Sequence, residues 1–192
     1  MIAIIKYNAG NITSVQNAVR RLGYDSIVTN DPQALRAAEK VIFPGVGEAS
    51  SAMNYLTERG LDQVIKSLEQ PVLGICLGLQ LMCLESEEGS TSCLGIFDTK
   101  VKRFNDAELV PHMGWNSIKN LRSSLFNALE EGDDTYFVHS YYAEISRDTS
   151  AICEYSVVFS AALEKQNFYA TQFHPEKSAG IGEQILNNFL KL

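Results

Sequence analysis

The sequence predicts a single α/β domain over residues 1–192, flavodoxin-like in its first half, with a central mixed sheet flanked by helices. In the first half, short continuous apolar runs alternate with segments of helical apolar spacing, which is typical of a parallel sheet covered on both faces. In the second half, strand-like segments follow one another with little helix between them, which indicates added antiparallel strands. A length of 192 residues suits one domain.

The first half is predicted to alternate strand and helix. Strands are expected at residues 2–6, 26–29, 41–43 and 72–75. Helices are expected at residues 12–22, just after 31, at about 50–68 with an interruption at 60, and at 77–84. Gly23 is expected to cap the first helix, since glycine adopts the left-handed conformation at low cost. Asp31 followed by Pro32 is a typical helix start.

The second half supplies mostly strand candidates. They are residues 95–97, 100–104, 115–118, 135–139, 151–155, 157–163 and 168–173. Helix is expected only around residues 121–129 and at 182–190. No internal repeat or long linker divides the sequence.

Composition and charge exclude several classes of protein. The net charge is −7, and the longest basic run is Arg20-Arg21, so we expect no nucleic-acid partner. The apolar start, Met1 to Ile5, is too short for a signal peptide or a membrane span, so we expect a cytoplasmic protein with no membrane partner. No pair of cysteines has Cys-x-x-Cys spacing.

The segment Gly74-Ile-Cys-Leu-Gly78 follows a predicted strand and opens a predicted helix, which is the pattern of a nucleophile elbow. The helix N-terminus would favour the thiolate of Cys76, and the N–H of Leu77 would point towards a tetrahedral oxyanion. The pentapeptide alone is also compatible with a second interpretation, in which Cys76 is a buried core cysteine and the two glycines only permit close packing. For Cys83, Cys93 and Cys153 we expect that core role.

A nucleophilic cysteine needs a base and a group that orients the base. His174 follows the last predicted strand, and Glu176 stands two residues later, where an extended chain would bring it to the same side. A metal site is the alternative, but no cluster has metal-ligand spacing, so we expect no metal. His112 and His139 lie among apolar residues and are expected in the core.

A glycine turn, Pro44-Gly-Val-Gly47, follows the third predicted strand. It is a near miss to a dinucleotide-binding fingerprint, because the third glycine is absent. It could instead supply a second backbone donor to an oxyanion, or be only a tight turn.

These motifs resemble the class I (triad) glutamine amidotransferases. Gly74-Ile-Cys-Leu-Gly-Leu-Gln80 with a distant His174-Pro-Glu176 carries the resemblance. Pro111-His-Met-Gly-Trp-Asn116 and Phe137-Val-His-Ser-Tyr141 are similar to the glutaminase subunits of imidazole glycerol phosphate synthases, which act in histidine biosynthesis. The resemblance extends from Tyr7 to the C-terminus.

The resemblance implies the class I amidotransferase fold, hydrolysis of glutamine, no cofactor, and a heterodimer with a (β/α)8 cyclase subunit that uses the ammonia. It implies a role for each matching residue. The catalytic residues would be Cys76, His174 and Glu176; the oxyanion hole Gly45, Val46, Gly47 and Leu77; the glutamine site Gln80, Glu88, Ser140 and Tyr141; and the partner interface Asn11, Trp115, Asn116 and Tyr136.

The sequence departs from the family pattern at Lys6, Asn8 and Glu48-Ala49. Two alternatives stay open. One is a glutaminase subunit of another pathway, such as pyridoxal phosphate synthesis, against which the 111–116 motif argues. The other is an inactive regulatory module on the same fold, against which the intact triad argues.

Overall fold

A computed structural model describes residues 1–105 and 109–192 of the protein. Within these residues the main sheet has seven strands, which are β1 (Ile2–Ile5), β2 (Ser26–Thr29), β3 (Lys40–Phe43), β4 (Val72–Ile75), β11 (Thr149–Glu154), β12 (Val158–Lys165) and β13 (Phe168–Thr171). Their order across the sheet is β2-β1-β3-β4-β13-β12-β11. β2, β1, β3, β4 and β13 pair in parallel, and β12 and β11 continue the sheet antiparallel. The predicted mixed sheet is therefore confirmed.

Helices cover both faces of this sheet. They are α1 (Ile12–Arg21), α2 (Pro32–Ala37), α3 (Ala49–Glu58), α4 (Leu61–Lys66), α5 (Leu77–Met82) and α6 (Ala179–Leu190). Alternate residues of β1 face opposite sides, so Ala3 and Ile5 join one apolar cluster while Ile2 and Ile4 join the other. Burial on both faces explains why the parallel strands read as continuous apolar runs.

Smaller sheets complete the second half of the chain. Their strands are β5 (Glu85–Ser86), β6 (Thr91–Ser92), β7 (Lys100–Arg103), β8 (His112–Ser117), β9 (Asp134–His139) and β10 (Tyr141–Ala143). In the described residues, β10, β7, β5 and β6 form one sheet, and β8 and β9 form an antiparallel pair. The added strands pair antiparallel as predicted, apart from the parallel pair of β5 and β7.

The predicted strand at residues 95–97 is wrong. The backbone N–H groups of Gly95 and Ile96 donate to Cys83 O and Met82 O, at 2.8 and 2.9 Å. They thereby satisfy carbonyls at the C-terminal end of α5, which would otherwise lack partners. The segment serves as a helix cap, and it pairs with no strand among residues 1–105 and 109–192.

The predicted helix at residues 121–129 is also wrong, because only a 3-10 turn, Ser124–Phe126, forms there. Asn120 and Ala128, on either side, have φ of 55° and 67°. These left-handed residues interrupt a right-handed helix. The Ser123 hydroxyl accepts from Leu125 N at 3.1 Å and starts the short turn.

Other local predictions are confirmed. Gly23 has φ of 87° and donates to Arg20 O at 3.0 Å, while Tyr24 donates to Val19 O at 3.3 Å, which together form a Schellman motif. Asp31 caps α2 by accepting from Gln33 N at 3.1 Å. No helix in the two described ranges has both the length and the apolar composition to cross a membrane.

The contact between α5 and β3 requires glycine at position 78. A Cβ on Gly78 would lie 1.9 Å from Phe43 O, whereas a Cβ on Gly180, in α6, would meet nothing within 4 Å. We predict that Gly78→Ala lowers the free energy of unfolding by about 1–3 kcal/mol, because the helix must move off the strand. Gly180→Ala is the matched control and should be neutral or stabilise by up to about 1 kcal/mol. Urea unfolding midpoints measure both, and equal midpoints would contradict the packing argument.

Candidate active site

Cys76 stands in the turn between β4 and α5, at the carboxyl end of the parallel strands. Its backbone has φ of 54° and ψ of −103°, a conformation that costs a non-glycine residue about 1–3 kcal/mol. Its backbone N–H donates to Thr171 O at 2.7 Å, so the neighbouring strand β13 fixes the turn. The carboxyl ends of parallel strands are where α/β proteins place their sites.

His174 and Glu176 lie beside this turn, and both side chains are fully buried. His174 Nδ1 is 2.8 Å from Glu176 Oε1. Glu176 reaches the ring through a 3-10 turn, Pro175–Lys177, and not through the extended chain that the sequence suggested. A hydrogen bond from Ser178 Oγ to His174 O at 2.7 Å holds this turn. The pair can therefore orient the imidazole ring.

The charge state of His174 depends on Cys76. Burial favours the neutral ring, but the Cys76 thiolate and the Glu176 carboxylate outweigh it and raise the pKa of His174 to about 10. Since this value exceeds the ordinary 6.5, the protonated ring stabilises the fold at low pH, and that contribution is lost as pH rises through about 10. Within the described residues His174 Nε2 has no hydrogen-bond partner. This nitrogen is buried, and the interaction with Cys76 contributes to the raised pKa of the ring.

Asn11 belongs to this group, although the resemblance placed it at the partner interface. Its side-chain N–H donates to Glu176 Oε1 over a sequence separation of 165 residues. Asn11 precedes α1 with φ of 71° and makes no side-chain capping bond, so its amide is directed at Glu176 instead. The available sequence signal was its place in the loop after β1, at the same end of the sheet as Cys76.

A cavity of about 290 Å³ opens in front of Cys76. It brings together residues that the sequence assigned to the oxyanion hole and to the glutamine site. Its lining is Val46, Gly47, Cys76, Leu77, Gln80, Glu88, Pro111, Val138, His139, Ser140 and Tyr141. Gly45, His174 and Glu176 are outside this lining. His139 is buried as expected for a core residue, but it also forms part of the cavity wall.

Gln80 uses its amide N–H groups within the protein. They donate to Tyr141 O at 2.9 Å and to Gln172 Oε1 at 3.1 Å. A ligand can therefore use Gln80 only through Oε1.

Gln172 was missed by the sequence analysis. Its Nε2 donates to Cys76 Sγ at 3.7 Å, and its side chain is fully buried. A buried glutamine in an apolar strand was the sequence signal for it.

Glu88 lies at one end of the cavity and accepts a hydrogen bond from Ala49 N at 2.8 Å. Partial burial raises the pKa of the Glu88 carboxyl above its ordinary value. The departures from the family pattern lie nearby: Glu48 accepts from Ser51 N at 2.8 Å, and Asn8 Nδ2 donates to Ser51 Oγ at 2.9 Å. These unusual residues therefore stabilise the start of α3, next to the glycine turn.

The glycine turn is closed over the predicted oxyanion position. Leu77 N–H donates to Gly45 O at 3.2 Å, and Gly10 N–H donates to Val46 O at 3.2 Å. Two carbonyl groups of the turn thus engage N–H groups, and one of these is the N–H that was expected to hold an oxyanion. Gly47 has φ of 140°, a conformation suited to glycine. An anion can reach Leu77 N–H only after Gly45 O moves away.

The residues predicted at the partner interface divide into two groups. Trp115 is 54% exposed and contacts the Tyr136 ring edge to face, with centroids 5.9 Å apart. Met113, on the same strand, is 66% exposed. The Asn116 amide instead turns towards His112, as the Asn11 amide turns towards Glu176.

Among the described residues, no group of three or more His, Cys, Asp or Glu side chains could hold a metal ion.

Comparisons with known proteins match the whole chain. A family model described as class-I glutamine amidotransferase matches residues 3–192. The chain is 60% identical over 194 residues to the imidazole glycerol phosphate synthase subunit HisH of Bacteroides fragilis, covering 100% of this chain and 99% of that protein. The subunit of the same name from Bacteroides thetaiotaomicron is 56% identical over 194 residues, with the same coverage.

Solved structures share the fold at much lower identity. One described as a glutamine amidotransferase has a TM-score of 0.77 at 16% identity and covers 100% of this chain and 98% of its own. A glutamine amidotransferase from Thermotoga maritima has a TM-score of 0.66 at 16% identity, covering 99% and 82%. These likenesses confirm the predicted fold class.

The link between Cys76 and His174 can be tested by titration. We predict that Cys76→Ala lowers the pKa of His174 from about 10, because burial then opposes the charged ring without the thiolate to balance it. Histidine-selective NMR of the isolated chain over a pH series measures this pKa. Cys93→Ala is the control, since Cys93 lies beside Glu85 and Glu88 and does not influence His174. An unchanged pKa in Cys76→Ala would contradict the thiolate–imidazolium pair.

Proposed function

This chain belongs to the class-I glutamine amidotransferase family, and from that premise we propose that it is the glutaminase subunit of an imidazole glycerol phosphate synthase in histidine biosynthesis. It hydrolyses glutamine to glutamate and ammonia. Full-length identity of 56–60% to proteins named as that subunit supports the pathway. The observation that carries the reaction is the meeting of Cys76, His174 and Glu176 beside a cavity that also contains Gln80 and Glu88.

Cys76 is the nucleophile. Its thiolate attacks the side-chain carbonyl carbon of glutamine, and the carbonyl electrons move to oxygen. The His174 imidazolium gives its Nε2 proton to the leaving nitrogen, the C–N bond breaks, and ammonia departs from a thioester on Cys76. Water then attacks the thioester as His174 takes its proton, and glutamate is released. The free Nε2 and the raised pKa of His174 suit a group that first donates a proton.

Glu176 and Asn11 orient the base. The Glu176 carboxylate accepts from His174 Nδ1, so the ring presents Nε2 towards Cys76. The Asn11 amide donates to the same carboxylate oxygen and limits its rotation. Because Glu176 is fully buried and outside the cavity lining, it affects the rate through His174 and not through contact with glutamine.

The cavity fits the polar ends of glutamine. We assign the α-ammonium group to Glu88, the only carboxylate among the described residues that line this cavity. Ser140 and Tyr141 hold the α-carboxylate, partly through backbone groups. The acceptor Gln80 Oε1 faces a site whose substrate carries amide N–H donors. This arrangement places the side-chain amide at Cys76.

The glycine turn forms the oxyanion hole in a second conformation. In the closed turn Gly45 O accepts the hydrogen bond of Leu77 N–H. A negative charge that develops on the substrate oxygen would therefore meet a carbonyl oxygen. Rotation of the peptides around Val46 replaces that carbonyl by an N–H donor. An oxyanion donor usually contributes about 10²–10³ in rate, so the closed turn is poorly active. A partner that binds the open turn more tightly activates hydrolysis.

The partner is a (β/α)8 cyclase subunit, with which the chain forms a cytoplasmic heterodimer. Exposed Trp115 and Met113, with half-buried Tyr136 beside Trp115, supply an apolar patch on the β8–β9 pair for it. No cofactor enters the reaction. A glutaminase of another pathway is the alternative, and the choice of cyclase in the assay separates the two.

Cys76→Ala separates the two half-reactions. We predict that this variant in complex with the cyclase makes no product from glutamine but makes it at the wild-type rate from ammonium salt, because only glutamine hydrolysis uses the thiol. Product formation with each nitrogen source is the measurement. Cys93→Ala, which changes a thiol away from the cavity lining, should retain both activities. Loss of the ammonia-dependent reaction in Cys76→Ala would show that Cys76 is structural.

Activation by the partner tests the glycine turn. We predict little glutamine hydrolysis by the isolated chain, and activation by cyclase with its nucleotide ligand; a 10²-fold rise corresponds to about 2.7 kcal/mol of preferential binding. Gly47→Ala should change this activation ratio more than the glutamine KM, since alanine is strained at φ of 140°.

Gly23→Ala is the matched control for Gly47→Ala. Gly23 also has positive φ and open space around its Cα, but it caps α1 away from the cavity. It should lower stability without altering the activation ratio. Equal hydrolysis rates for the isolated chain, the complex and the liganded complex would contradict the switch.

A further inference from the structure

We propose that Asn116, His112 and His139 form a buried hydrogen-bond relay that fixes the Ser140–Tyr141 wall of the glutamine cavity. The relay makes His112 and His139 positioning residues, with neither acting as an acid or a base. The proposal deepens the proposed function, since it concerns the same cavity. It rests on four consecutive hydrogen-bonding groups and on the direction in which each proton must point.

The inner end of the relay is a backbone carbonyl, and this fixes the first proton. His139 Nδ1 lies 2.7 Å from Tyr141 O. A carbonyl oxygen only accepts, so Nδ1 carries the hydrogen. Burial lowers the pKa of His139 to about 3, so the ring is neutral at pH 7. A neutral ring with hydrogen on Nδ1 must use Nε2 as an acceptor.

The next two groups follow from the first. His112 Nδ1 lies 3.0 Å from His139 Nε2 and must donate to it. Burial lowers the pKa of His112 to about 4, so its Nε2 is also an acceptor. Asn116 Nδ2 lies 3.2 Å from that nitrogen and donates to it. Every bond thus points the same way, from Asn116 through His112 and His139 to Tyr141 O.

The outer end of the relay has a fixed orientation as well. The second N–H of the Asn116 amide donates to Glu154 O at 3.0 Å. Asn116 Oδ1 accepts from Ser117 N at 2.8 Å. An amide rotated by half a turn would place its oxygen against the Glu154 carbonyl and its NH₂ against the Ser117 N–H. The orientation of Asn116, and hence the direction of the relay, therefore has a single solution.

Aromatic packing prevents the His112 ring from turning. It is stacked against Tyr155 and Phe137, with centroid distances of 4.1 and 4.9 Å and interplanar angles of 20° and 24°. Rotation would break both stacks together with both of its hydrogen bonds. The ring is therefore a rigid member of the relay.

The relay acts on the cavity through Tyr141 O. This oxygen also accepts from Gln80 Nε2 at 2.9 Å, so both of its lone pairs are engaged. The Tyr141 carbonyl is held between a side chain of α5 and a side chain of β9, and it can neither rotate nor bind a ligand. Ser140 and Tyr141 both line the cavity, and the fixed peptide sets where their remaining groups face glutamine.

The test compares two replacements of His112, an aromatic ring that has no hydrogen-bond donor and an amide that has one. His112→Phe retains the stacking but leaves His139 Nε2 without its donor, whereas His112→Asn offers an amide N–H near the position of Nδ1. We expect the glutamine KM of the complex to rise about tenfold in His112→Phe, the usual effect of one neutral hydrogen bond, with kcat within about threefold. His112→Asn should restore the KM, and ammonia-dependent synthesis should be unchanged in both. An unchanged KM in His112→Phe would overturn the proposal.

A second measurement is independent of activity. Histidine ¹⁵N NMR of the isolated wild-type chain should show both His112 and His139 neutral, with the proton on Nδ1. A proton on Nε2 of either ring would overturn the relay. Because this measurement uses the wild-type chain, it decides the question even if His112→Phe does not fold. Glutaminase activity missing from the wild-type complex would refute the proposed function, while the NMR spectra would still decide on the relay.

Discussion

The parallel pairing of β4 with β13 is the constraint on which the site depends. The register aligns Ile75 with Thr171, and Cys76 N–H extends the pairing by donating to Thr171 O at 2.7 Å. This one alignment places the strained turn after β4 beside the chain that leaves β13, and so brings Cys76 to His174. A slip of one residue would turn the side chains of the strand to opposite faces. The specific close packing of side chains on both faces of the sheet opposes that slip.

The two backbone hydrogen bonds that close the glycine turn are long, and that fits a part that must rearrange. Its contacts from Leu77 N to Gly45 O and from Gly10 N to Val46 O are both 3.2 Å, at the long end of the usual range. A typical hydrogen bond contributes only about 1 kcal/mol net. By contrast, Glu48 and Glu88 hold the start of α3 at 2.8 Å. Because the start of α3 is held rigidly next to the turn, the rearrangement involves only the few peptides of the turn itself.

Local patterns were sufficient for part of the fold and site, and non-local contacts account for the rest. Continuous apolar runs predicted the parallel strands, and residues within one motif predicted Cys76 and its neighbours; the catalytic roles stay predictions. The resemblance assigned Asn11 to the interface, and its bond to Glu176 was not foreseen because it spans 165 residues, which no local pattern encodes. Residues 95–97 have strand-like side chains, but their N–H groups cap α5. The relay histidines looked like core residues because they are buried; only their partners distinguish them.

The close approach of Tyr7 to the glycine turn makes the residues at positions 7 and 45 depend on each other. A Cβ at position 45 would lie 1.9 Å from the Tyr7 hydroxyl oxygen, and that hydroxyl donates to Pro44 O at 2.7 Å. A larger residue at position 45 is excluded while tyrosine occupies position 7. A side chain at position 45 requires a smaller residue at position 7, and that change removes the hydroxyl bond that anchors the turn. The two positions are therefore coupled, and a double substitution would leave the turn less firmly held.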